Sequence, residues 1–102
     1  MLIWRDCWSM SIRVTDERLA HVLEHPEMAG QQAALAETLA EPHQVVQSRS
    51  DEDVRLYHRL CDDSPVGAKY LCVVVKWRSD DPFLVTAYFT DRVKQGTRLW
   101  PM

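Results

Sequence analysis

The chain has 102 residues, with 15 Asp/Glu against 12 Lys/Arg and a hydrophobic fraction of 46%, the make-up of one globular domain with a sizeable core. No apolar run approaches the roughly 20 residues of a membrane helix, and MLIWRDCWSM, with Arg5 and Asp6 inside it, does not read as a secretory leader. Three sparse cysteines, Cys7, Cys61 and Cys72, argue against a disulfide framework and for a reducing cytoplasm. Charge is uneven along the chain. Residues 1–42 hold three Lys/Arg against seven Asp/Glu, and residues 43–102 hold nine against eight. The overall balance therefore gives no sign of a nucleic-acid partner; only a local face does.

In chain order, residues 1–11 read as an N-terminal extension and residues 12–102 as a single domain. Ile12–Val14 is a short strand candidate. Thr15 or Asp16 caps a first helix, Asp16 and Glu17 suit its dipole, and Leu19, Val22 and Leu23 form its apolar face. Pro26 bars His25 from helical geometry, so this helix stops at Glu24 or His25. A second helix is expected over Glu27–Leu39, ending before Pro42. Both stripes are narrow, so the helices need a sheet to hold them.

HQVVQSR (43–49) then reads as a strand, followed by VRLYHRLC (54–61), KYLCVVVKWR (69–78) and FLVTAYFT (83–90), separated by the turn formers SDED, DDSPVGA and SDDP. Short loops predict an α+β domain: two short N-terminal helices packed on one face of a four-stranded antiparallel β-meander. Alternation splits each long strand into two faces. One face collects Val54, Leu56, Leu60, Leu71, Val73, Val75, Trp77, Phe83, Val85, Ala87 and Phe89, and is expected to be the core. The other collects Arg55, Tyr57, Arg59, Tyr70, Lys76, Arg78, Thr86, Tyr88 and Thr90, with no carboxylate. Such a face suits phosphates and unpaired bases. Solvated sheet faces also favour Arg, Lys, Thr and Tyr for strand propensity alone, but an ordinary one mixes both signs.

Two weaker signals accompany it. HVLEH (21–25) fits the H-x-x-E-H pattern of inverted zinc proteases, but Pro26 bends the chain at the second histidine and the domain is too short for such an enzyme. Cys61 and Cys72 are expected on the open face near one end of a hairpin. His43 and His58 do not converge with them, so no metal site is expected.

An ordered set of short motifs carries a resemblance. His21, His25-Pro26-Glu27, Pro42, Ser48–Asp51, Val54–Tyr57, Lys69–Lys76, Val85–Asp91 and Leu99–Pro101 resemble the phage-linked branch of the barnase–EndoU–colicin–RelE nuclease superfamily, over about residues 12–101. The resemblance implies metal-independent cleavage of RNA, often as a toxin domain, with no cofactor, an RNA substrate, a possible antitoxin or immunity partner, and no membrane. Cleavage through the neighbouring 2′-hydroxyl needs a base, an acid and cations at the phosphate. His21 or His25 is the expected acid or base. Arg55, with Arg49 and Lys76, is expected to hold the phosphate. Tyr57, Tyr88 and Thr90 would position substrate or relay a proton, and Arg59 and Thr86 would contact RNA. The alternative is a non-catalytic RNA- or protein-binding module on the same fold.

Overall fold

The computed structural model describes residues 1–101. In order come β1 (Leu2–Arg5), β2 (Ser11–Val14), α1 (Asp16–Leu23), a 3-10 turn (Pro26–Met28), α2 (Gln32–Ala40), β3 (Gln44–Ser48), β4 (Val54–Ser64), β5 (Gly67–Arg78), β6 (Asp81–Thr90) and β7 (Gly96–Trp100). Thr15 caps α1 by accepting the Arg18 amide. Pro26 opens the 3-10 turn, and Gly30, in the left-handed region at φ 75°, separates that turn from α2. The single helix expected over Glu27–Leu39 is therefore two pieces.

The four-stranded meander expected from the sequence is not the fold. All seven strands join one mixed sheet in the order β1-β2-β6-β5-β4-β3-β7. Strands β3 to β6 pair antiparallel in succession, but β2 runs parallel to β6, β1 pairs with β2, and β7 pairs with β3. Of the added strands, β2 is the short strand expected at Ile12–Val14, while β1 and β7, with four and five residues, are too short for alternation to stand out from loop. Helices α1 and α2 carry the chain from β2 across the sheet to β3, and the antiparallel run β3–β6 then returns to lie parallel beside β2. Residues 1–11, read from the sequence as an extension, supply β1, the turn that follows it and the first residue of β2.

A second correction concerns the faces. Across the sheet, Val45, Tyr57, Val73 and Ala87 lie opposite one another and all belong to the buried core with Leu35 and Leu39 of α2 and Val22 of α1. Leu56 instead opposes Val74, so Leu56 and Val73 are on opposite faces. Arg55, Tyr57 and Arg59 thus share the helix-covered face, and Leu56, His58 and Leu60 lie on the outer one. Strand β5 hides this, because Leu71 through Val75 are all buried and show no alternation. In β6 a bulge skips Val85, leaving Leu84 opposite Val75 and Phe83 opposite Lys76. The bulge puts Leu84 inward and Phe83 outward, reversing the expected phase below Val85.

Strand β7 depends on a close approach. A Cβ on Gly96 would lie 2.2 Å from the Gln47 carbonyl oxygen, so only glycine fits against β3 there. Gly96→Ala is expected to push β7 off β3 and destabilise the protein by about 1–3 kcal/mol, read as a lower urea midpoint with Trp100 fluorescence shifting toward solvent.

Candidate functional site

On the helix-covered face, the β1–β2 turn folds onto the middle of the sheet. Asp6 is only 4% exposed. Its Oδ1 accepts the amides of Trp8 and Met10, each at 2.9 Å, and its Oδ2 accepts the Tyr57 hydroxyl at 2.7 Å. The Arg55 guanidinium stacks 4.1 Å from the Trp77 ring centroid and 5.1 Å from that of Trp8. Trp8 also meets Tyr57 and Trp100 edge-on, at 6.2 and 5.6 Å. Burial, then the hydrogen bond to Asp6, push the Tyr57 hydroxyl far above the tyrosine range. Burial, followed by the charge of Asp6, pushes the Cys7 thiol up to about 12. Both groups stay protonated at neutral pH, and the cluster is built to hold a turn in place.

The other expected contacts disperse. His21, on α1, and His25, just before the 3-10 turn, are exposed; they face each other at 6.2 Å, and His21 lies 3.8 Å from Glu24. Arg59 pairs with Glu37 at 2.9 Å and also donates to the Glu41 carbonyl. Arg49 donates to Gln95 Oε1 at 3.1 Å, and Lys76 pairs with Asp51 at 3.2 Å. The Asp53 amide, and then Lys76, hold the Asp51 carboxyl below its usual range. Two open grooves exist, about 630 Å³ beside α2 and β4 and about 530 Å³ along α1. The first is lined by Glu37, Asp62 and Asp63 against Arg59, the second by Glu17 and Glu24 against Arg18 and His21. Neither has the charge to receive a polyanion.

The outer face is different. Three cross-strand rows lie on it: Gln44, His58, Cys72 and Tyr88; Val46, Leu56, Val74 and Thr86; and Leu60, Tyr70 and Thr90. None of these residues is a carboxylate. Arg98 extends the second row from β7, and Lys94 projects over the Tyr88 ring at 5.4 Å. Thr90 Oγ1 donates to the Arg92 carbonyl at 3.2 Å. At the centre is His58, wholly buried, with Tyr70 packed edge-on at 6.4 Å. Its Nε2 accepts the Lys94 amide at 3.1 Å, so in the neutral ring the proton sits on Nδ1, which has no partner. Burial lowers the affinity of His58 for a second proton, and nearby Lys94 lowers it further. The backbone of Gln44 and Leu56 opposes this without completing a hydrogen bond.

Cys72 lies beside Tyr88, and burial raises the thiol to about 11. Burial, then Cys72, raises the Tyr88 hydroxyl as well. Cys61, expected beside Cys72, is on the opposite face against the core. His58 and Cys72 are direct neighbours, contrary to the expected separation, yet among the described residues no three His, Cys, Asp or Glu side chains converge as a metal site. Sequence reasoning passed over His58, Lys94, Asp6 and Trp8. The available signal was the alternate phase of β4, in which Leu56-x-His58-x-Leu60 is one face. No protein-family model, curated protein or solved structure matches the chain.

Tyr57→Phe strips one donor from a buried carboxylate and is expected to cost about 1–3 kcal/mol. Arg55→Lys, which loses the planar stack between two indoles, is expected to cost about 1 kcal/mol. Urea unfolding of each variant against the parent measures both.

Proposed function

We propose that the protein is a small, metal-independent endoribonuclease of the barnase–EndoU–colicin–RelE kind, working through the outer face of β4, β5 and β6. The observation that carries the reading is the grouping of His58, Tyr70, Tyr88, Thr86, Thr90 and Arg98 on rows without a carboxylate, with Lys94 reaching over Tyr88 from the segment after β6. Tyr70 and Tyr88 offer ring faces to unpaired bases, and Lys94 and Arg98 offer charge to phosphates. Once uncovered, the His58 imidazole takes the proton of the 2′-hydroxyl. The 2′-oxygen bonds to phosphorus, the P–O5′ bond breaks, and the leaving 5′-oxygen gains a proton, yielding a 2′,3′-cyclic phosphate and a 5′-hydroxyl. In this reading Arg55 and Tyr57 secure the β1–β2 turn, and His21 and His25 stay exposed at and beyond the end of α1.

The burial of His58 favours a second reading, in which the same face binds single-stranded RNA without cutting it. Three free cysteines suit a reducing cytoplasm, and among the described residues no helix is long and apolar enough to cross a membrane. A cytoplasmic ribonuclease also needs a masking partner, so an antitoxin or immunity protein is part of the proposal.

The test is to incubate the protein with single-stranded RNA in EDTA and analyse the ends. Cleavage to cyclic phosphates supports the nuclease. Retention of intact RNA, weakened about tenfold or more by Tyr88→Ala through the lost stacking, supports the binding module. Arg18→Lys, exposed on α1 on the opposite side of the sheet, should change neither. Absence of both cleavage and binding overturns the proposal.

A further inference from the structure

We propose that residues 91–95, between β6 and β7, form a pH-sensitive strap that His58 latches over the outer face. Among the described residues, no backbone hydrogen bond outside the strands ties this segment to the rest of the chain. Its attachments are side-chain ones. Lys69 pairs with Asp91, Thr90 donates to the Arg92 carbonyl, Arg49 donates to Gln95, and Lys94 Nζ rests over Tyr88. Carboxylates, hydroxyls, guanidinium and ammonium groups keep one charge state from pH 5 to 8. The remaining attachment is the Lys94 amide on His58 Nε2, and imidazole is the side chain that ordinarily titrates in that range.

The latch is built so that one proton undoes it. Protonated Nε2 is a donor and cannot accept the Lys94 amide. The groups facing the ring are Tyr70 and Cys72 from β5, Tyr88 from β6, the backbone of Gln44 from β3, and Lys94 from the strap. None is a carboxylate, so an imidazolium there is buried, uncompensated and close to a lysine. Nδ1–H already lacks an acceptor, a cost that water relieves once the strap lifts.

The direction with pH follows from the burial. With the strap closed, His58 binds its proton more weakly than the ordinary value of 6.5; with the strap open it returns toward that value. Closure is therefore complete above about pH 6.5, and the open population rises as pH falls below it, by up to about tenfold per pH unit for one proton. That the opened ring, once it has lost its proton again near its ordinary value, would act as the base on RNA rests on the proposed function. The latch itself does not.

The experiment follows the Lys94 amide by NMR hydrogen exchange in the full chain from pH 8 to 5, as protection relative to the unfolded amide, with Val73 as the core reference. The expected result is loss of Lys94 protection below about pH 6.5, in step with titration of the His58 ring, while Val73 stays protected. His58→Gln, whose amide oxygen can accept the Lys94 amide but does not titrate, should flatten the profile. A parent profile without pH dependence, or an unchanged dependence in His58→Gln, overturns the proposal. If that variant does not fold, the coincidence of the His58 and Lys94 titrations in the parent decides. No RNA enters the measurement, so failure of the nuclease reading and failure of the latch give separate results.

Discussion

The carboxylate of Asp6, enclosed by two backbone amides and the Tyr57 hydroxyl, is the constraint on which the arrangement of the sheet depends. A buried charge is tolerable only when its hydrogen-bonding capacity is met, and here the donors come from two places far apart in sequence. The β1–β2 turn must therefore stay over β4, and Trp8, carried with it, closes over Arg55 and against Trp100 of β7. The two outermost strands of the sheet, β1 and β7, are tied across its face by this one turn. A row of residues that looks cationic in sequence becomes, in the fold, a clasp.

That clasp divides the labour between the two faces. The helix-covered side uses its arginines up: Arg55 between indoles, and Arg59 on Glu37 and the end of α2. The outer side keeps aromatic rings, hydroxyls and ammonium groups near solvent and places a neutral imidazole among them. Sheets that bury one face can leave the other chemically free, and here the difference shows in what the side chains are paired with rather than in net charge.

Much of the local structure was legible. Thr15, Asp16 and Glu17 mark the start of α1, Pro26 marks its end, and the Asp-, Ser- and Pro-rich breaks lie between the long strands. What escaped has identifiable causes. β4 was phased by treating Leu56 and Leu60 as core because Arg55, Tyr57 and Arg59 are polar, yet stacked guanidinium and bonded hydroxyl groups are buried readily. Since β5 is apolar on both faces over Leu71–Val75, it offered no alternation to correct the phase. The Val85 bulge leaves no mark in composition. Tyr70, Lys76, Thr86, Tyr88 and Thr90 were grouped correctly on one face, but their central histidine was not, since His58 is read only once β4 is turned over.

The parallel joint between β2 and β6 has a consequence for how the chain comes together. Arg13 meets Asp81 across 68 positions, and Asp6 meets Tyr57 across 51. Contacts this distant form late, because closing the intervening loop costs entropy before anything rewards it. On the ribosome, β1 and β2 are made before β6, and their seat does not exist until β6 has emerged. Until then Leu2, Ile3, Trp4 and Trp8 have nothing to pack on and Asp6 remains in water. The β1–β2 hairpin is made before its seat and docks after it, and in that interval its apolar side chains are open to capture by a chaperone or by another nascent chain.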